Sequence, residues 1–299
     1  MYFPQPLLLI CILLILTERV HSQSAKGPGI SSCAFADFRD SECMFPPLPI
    51  SELPPECTSF IYNAAIIYDN YTIGPGISGA DYAILDVLLK SGTDVHVYYG
   101  RPYTVDWCIM LENVSTNSLR EMESIKEFFK DHQGIAGLII SGMSYGEFSP
   151  ECKKFTETFK IYLDMLQKTF PNLAIGLDLF GYNLIDQFNN PMREWLDFKV
   201  LDVSVDYYAV DMQSFNPCSP EFNTGIVTKS GNFTNYTLDI LTDVLQKMSI
   251  PKEKTYFKFN TCPDENTYTV TDCDLTNEMN LDEKPDKLSL NLRYPQSIA

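Results

Sequence analysis

Residues able to do chemistry are sparse in this chain, and they fall at the ends of apolar runs. The run at 134–143, GIAGLIISGM, closes on Ser141, Gly142 and Met143, none of which exchanges a proton near neutrality. No carboxylate lies between Asp131 and Glu147. Asp178 stands near the end of LAIGLDLF at 173–180, and Asp211 near the end of VDYYAVDM at 205–212. Two carboxylates at neighbouring strand ends can divide acid–base work between them, or can simply serve hydrogen bonding there. Glu147 is either a relocated acid or, more simply, a loop or N-cap carboxylate preceding the helix that begins near Pro150. His96 and His132 have no Cys, Ser or Asp at a motif spacing, so nucleophilic catalysis finds no support. Tyr98, Tyr99, Tyr103, Trp107 and Tyr145 gather near the ends of two predicted strands, where rings either stack on sugars or pack loops. Residues 272–283, DCDLTNEMNLDE, put oxygens in a calcium-loop register. Asn277 occupies the position where that loop turns on glycine, and no flanking helices are apparent, so the segment reads as a solvated acidic tail.

These side chains need a frame, and the hydropathy pattern supplies one. The uncharged run at 134–143 has the character of a strand buried on both faces, as in a parallel sheet. Six further strands are expected at 32–38, 58–68, 93–99, 173–180, 205–212 and 255–259. Helical spacing appears at 80–90, 118–130, 152–170, 191–198 and 236–248. Strands alternating with helices predict an α/β fold, and this many predict a (β/α)8 TIM-type barrel. Residues 287–293, KLSLNLR, alternate as an eighth strand or a half-buried edge, with no helix after them. The barrel is therefore expected to be incomplete or degenerate at its eighth unit.

Residues 7–16 form an apolar run of signal-peptide length, with small residues Val20 and Ser22 placed for cleavage after Ser22. No later segment reaches the roughly 18 apolar residues of a membrane span. The expected organisation is a signal peptide at 1–22, a barrel at 23–263 that opens on a flexible lead-in to about residue 31, and an acidic tail at 264–299. Eight cysteines remain beyond the signal, none in a CxxC pair, which suits disulfides in an oxidising compartment rather than zinc or redox chemistry. Sequons at Asn70, Asn113, Asn232 and Asn235 fit surface glycosylation. A net charge of −17 disfavours nucleic acid and anionic membrane as partners. A secreted monomer without cofactor or metal is expected.

The order of these segments resembles the family 18 glycoside hydrolases, the chitinases and chitinase-like lectins. The resemblance runs from about 32 to 262 and rests on Cys33, Cys57 with the TSFIY that follows it, GIAGLIISG, PNLAIGL, VDYYAVDM and IPKEKTYFKF. It implies a disulfide between Cys33 and Cys57. It also implies a catalytic strand of the form D-G-x-D-x-D-W-E, whose Glu protonates the glycosidic oxygen while an Asp orients the substrate's own acetamide nucleophile. Here those acidic positions are Ala136, Ile139, Ser141 and Met143, and the family Tyr that binds the acetamide oxygen falls on Gln213. Loss of general acid catalysis alone removes about 10²–10⁴-fold in rate. The resemblance thus implies a catalytically inactive relative that binds a chitooligosaccharide, another glycan or a protein. Tyr99, Trp107, Tyr145, Asp178, Asp211 and Gln213 are the candidate ligand contacts. The alternative is an active glycosidase using relocated carboxylates.

Overall fold

The computed structural model describes residues 26–36, 49–76, 82–143, 154–190, 196–212, 215 and 236–258. The strands are β1 (Ser32–Ala36), β2 (Ser59–Ile67), β3 (Ile73–Pro75), β4 (Val95–Gly100), β5 (Ile135–Ser141), β6 (Ala174–Phe180), β7 (Tyr207–Asp211) and β8 (Thr255–Lys258). The α-helices are α1 (Ala83–Lys90), α2 (Thr104–Glu112), α3 (Val114–Asp131), α4 (Phe155–Thr169), α5 (Gly181–Asn189), α6 (Phe198–Leu201) and α7 (Leu238–Lys247). The sheet runs β1-β2-β4-β5-β6-β7-β8 with every neighbouring pair parallel. The short β3 turns back antiparallel on β2.

The sheet is curled, and side chains show it. His96 Nδ1 on β4 lies 2.8 Å from the Tyr207 hydroxyl on β7, and Lys258 Nζ on β8 sits 4.9 Å from the centre of the Tyr98 ring on β4. In a flat sheet with strands about 4.8 Å apart, three and four strand steps separate such groups by roughly 14 and 19 Å. Gly27, just before β1, approaches the Tyr256 ring on β8. Curling sorts the alternating residues into two sets. Tyr98, Ile139, Ala174, Tyr207 and Ala209, with Ile61, Ala64 and Tyr256 against them, fill the concave interior. Val97, Leu138, Ile140, Leu177 and Val210 join the larger layer under the helices. Glycines at 137 and 176 make the interior possible, because a Cβ at Gly137 meets the His96 ring and one at Gly176 meets the Tyr207 ring.

All seven expected parallel strands are present in the expected order. Strand pairing between β8 and β1 does not occur among the described residues, and the expected strand at 287–293 lies outside them. Several expectations need correction. The expected helix at 191–198 lies mostly outside the described residues, and of those described there only Phe198 is helical; a helix that was not expected, α5, starts directly after β6 and buries Asn183, Leu184, Ile185 and Gln187. The helix α2 was not expected, because its apolar residues surround the axis: Trp107, Met110 and Leu111 are buried while Val105 and Ile109 are exposed. The lead-in is pinned rather than flexible over 26–31. Lys26 Nζ donates to the Pro171 carbonyl at 2.7 Å, and the Pro28 carbonyl accepts from the hydroxyls of Ser32 and Ser59.

Candidate functional site

In a β/α barrel the chemistry gathers at the C-terminal ends of the strands. Alternation fixes which residues face inward there. Asp178 lies two residues beyond Gly176 on β6, Asp211 two beyond Ala209 on β7, and Lys258 two beyond Tyr256 on β8. The three meet. Lys258 Nζ is 2.8 Å from Asp211 Oδ2 and 3.7 Å from Asp178 Oδ1. Tyr98 hydrogen-bonds to Asp178 through its hydroxyl while its ring faces the ammonium. Both carboxylate side chains are nearly fully buried, at 7% and 5% exposure, whereas Lys258 keeps 33%. The lysine is the member that meets solvent.

Burial sets the electrostatics of this cluster. Desolvation pushes the Asp178 carboxyl up to about 6; Lys258 pulls it down, while the Asp211 charge adds to the rise. Burial works against the Lys258 ammonium too, yet the two carboxylates more than offset it and its pKa rises. The Tyr98 phenol is driven well above its ordinary value, first by burial and then by Asp178. Asp178 Oδ1 is buried and accepts no hydrogen bond.

At the end of β5 the picture is apolar. Ile139 is fully buried in the interior, and Ser141 follows on the same face. Gly142 then adopts φ +82, and its Cα packs so near the Arg101 carbonyl that a Cβ has no room. Past that turn Met143 is 2% exposed and packs with the layer under the helices. The position expected to hold a proton donor thus carries a thioether that leaves the interior.

The expected aromatic cluster separates. Adjacent residues of a strand point to opposite faces, so Tyr98 enters the interior while Tyr99 goes beneath the helices. Tyr99 and Trp107 are fully buried in that outer layer, and neither stands at the mouth as a ligand contact. Trp107 packs edge-on against Phe159 and Tyr162, and its Nε1 donates to the Ser141 carbonyl at 2.9 Å. Tyr103, at the start of α2, is 70% exposed. Tyr145, Glu147 and Gln213 lie outside the described residues, as do Asn232, Asn235 and 272–283. Asn70 and Asn113 are exposed, and Asn70 Oδ1 accepts from both the amide and the hydroxyl of Thr72. Cys33 and Cys57 are bonded to each other. His132 Nδ1 is 3.2 Å from Asp86 Oδ1. Among the described residues no group of three His, Cys, Asp or Glu could hold a metal, and no helix is long and apolar enough to cross a membrane.

Sequence reasoning missed Lys258 and Glu121. The TYFKF run reads as a strand, and its alternation alone aligns Lys258 with Tyr256. Glu121 is buried on the inner stripe of α3 with Ser118, Met122, Ile125 and Phe128, where a carboxylate at helical spacing among apolar residues was the available signal.

No protein-family profile and no curated protein sequence matches the chain. Solved structures do match it. The chitinase domain of the spore coat protein CotE from Clostridium difficile aligns with TM-score 0.57 and 13% identity over 81% of this chain and 67% of that one. An immunomodulatory active chitinase from Trichuris suis gives 0.57 and 13% over 76% and 64%. YKL-39, solved in the presence of the chitooligosaccharide GlcNAc4, gives 0.56 and 18% over 77% and 66%. The chain spans about two thirds of the length of these structures. At such identities the likeness is one of architecture alone: a curled, parallel-stranded α/β sheet with helices, matching these chitinase and chitinase-like structures.

Proposed function

We propose that this chain is a secreted, non-hydrolytic relative of the family 18 glycoside hydrolases that acts by binding a glycan at the barrel mouth. The observation that carries the reading is the end of β5. Its inward residues are Ile139 and Ser141, and Met143 packs away under the helices, so this strand end offers no general acid. The two inward carboxylates on β6 and β7 are held by Lys258 instead. Secretion rests on the apolar run at 7–16, on the disulfide and on the exposed sequons Asn70 and Asn113. A protein partner is the other binding role, and it is what remains if no glycan binds.

One observation favours the active alternative: Asp178 is buried beside Asp211 with its pKa lifted to about 6, the property a general acid needs near neutrality. Incubation of the purified protein with chromogenic chitobiose and chitotriose substrates separates the readings. No turnover is expected, together with measurable binding of sugar oligomers by calorimetry. Turnover that Asp178→Asn or Asp211→Asn abolishes would establish the relocated-carboxylate enzyme and remove the proposal.

A further inference from the structure

We infer that Asn70 carries an N-linked glycan whose first N-acetylglucosamine lies on the exposed ring of Tyr68 and so braces the β2–β3 hairpin. This rests on the secretion part of the reading above and is independent of its glycan-binding part.

The turn itself supplies the geometry. β2 and β3 pair antiparallel, with Ile67 opposite Ile73 and Ile66 opposite Gly74. Beyond that ladder the Tyr68 amide donates to the Thr72 carbonyl at 3.0 Å, and the Tyr71 amide donates to the Tyr68 carbonyl at 2.8 Å. Tyr71 takes φ +66, so the loop is a β-turn closed by a left-handed residue, a three-residue hairpin connection. Tyr68 therefore faces Thr72 across the hairpin, and Gly74, two residues on, shares the face of Thr72. The Tyr68 ring lies across Gly74, so near that a Cβ there would meet it, while 42% of the tyrosine stays exposed. Asn70 joins the same face, because its Oδ1 accepts from the Thr72 amide at 3.0 Å and from the Thr72 hydroxyl at 2.7 Å. Tyr71 turns the other way. It packs against the core layer, with the guanidiniums of Arg101 and Arg120 at 6.0 and 5.7 Å from its ring centre.

With Oδ1 held by Thr72, the Nδ2 end of the exposed Asn70 side chain is the atom presented for modification. Glycosylation joins Nδ2 to the anomeric carbon of a lipid-diphosphate-linked oligosaccharide. The carbon–nitrogen bond forms, the carbon–oxygen bond to the diphosphate breaks, the lipid diphosphate leaves with the electron pair, and the amide gives up one proton. The first sugar thus begins beside Thr72, on the face that carries the Tyr68 ring. One side of that ring is taken by Gly74 and the other is open. A pyranose presents C–H bonds whose slightly positive hydrogens suit the negative face of an aromatic ring. The sequon at Asn113 has no such partner, since the residue two before it is Leu111, which is buried.

The test compares one polypeptide with and without its sugar. Protein secreted from cells that make only high-mannose glycans is trimmed with endoglycosidase H, which leaves a single N-acetylglucosamine on each occupied Asn. Sugar-free protein comes from a bacterial periplasm. Amide exchange across 66–75 is measured for both forms of wild type and of Tyr68→Thr, a variant at an exposed site that keeps strand propensity. In wild type the single sugar is expected to slow exchange about fivefold, and in Tyr68→Thr the two forms should exchange alike. Slowing of equal size in both sequences, or none in wild type, would overturn the inference. Secreted protein with Asn113 occupied and Asn70 bare would overturn it as well, and would leave secretion standing. Failure of export, or absence of sugar from every sequon, would defeat the secretion reading itself, and this inference with it.

Discussion

Two buried titratable side chains in the concave interior of the sheet oppose one another across the acid range. His96 is 1% exposed, and burial depresses its pKa from 6.5 to about 4 despite the nearby Asp94 charge. A base with a depressed folded pKa costs nothing above its unfolded value. The native state loses stability as pH falls from 6.5 towards 4, by about 3 kcal/mol at 1.36 kcal/mol per unit. Asp178 has the reverse sign. Its folded pKa is raised from 3.8 to about 6, so the native state is penalised as pH climbs through that window, again by about 3 kcal/mol. The two slopes largely cancel in the wild type. Urea unfolding between pH 4 and 7 should therefore expose them separately. Asp178→Asn is expected to gain stability over wild type as pH rises through 4 to 6 and to hold that gain above. His96→Gln is expected to gain only as pH falls below 6.5, most fully at pH 4. Parallel curves for wild type and either variant would show that the group titrates normally in the native state.

Between the helices and the strands lies a second charged assembly, and it ties five elements together. Glu121 on α3 accepts from Tyr99 on β4 and Tyr162 on α4, both at 2.8 Å, while Arg101 just after β4 meets its other oxygen at 2.5 Å. The guanidinium lies 5.6 Å from the Trp107 ring on α2, and Trp107 in turn holds the Ser141 carbonyl at the end of β5. Removing one partner of a buried pair strands the other charge, so Arg101→Met is expected to cost about 3–5 kcal/mol. Tyr99→Phe removes one hydrogen bond to the same carboxylate and should cost about 1.5–3 kcal/mol. The Arg101→Met/Glu121→Gln pair should lose less than the sum of its single variants, because the second change removes the charge that the first leaves alone. Additive losses in equilibrium unfolding would mean the groups are not coupled. This assembly shows what the sequence concealed. Near-continuous apolar runs exposed the strands because both faces of the sheet are apolar, and Asp178 and Asp211 stood out within them. Tyr99 and Trp107 looked like ligand contacts because chain proximity to Tyr98 says nothing about face; alternation sends Tyr99 outward, and α2 carries Trp107 after it. Lys258 lies 47 residues from Asp211 and 80 from Asp178, so only the curl of the sheet brings their charges together.

At the scale of the molecule, the curled sheet has one edge whose attachment is covalent. Within the described sheet β1 pairs with β2 alone, and Cys33 in β1 is bonded to Cys57, two residues before β2, across a separation of 24 residues. The resemblance implied this bridge, and the structure contains it. Closing a loop of that length removes entropy from the unfolded chain worth about 3 kcal/mol, in a protein whose total stability is of the order of 5–15 kcal/mol. The bridge also acts locally, because β1 is five residues long and shares with β2 the anchor formed by Ser32, Ser59 and the Pro28 carbonyl. The Cys33→Ser/Cys57→Ser variant should therefore melt roughly 10 °C lower, and the loss should not be spread evenly. Amide exchange is expected to rise first in 32–36, while β5 and β6, paired on both sides and buried on both faces, stay protected until global unfolding. Unchanged melting, or exchange that rises equally in β1 and β5, would show that strand pairing alone holds this edge and that the disulfide adds nothing to it.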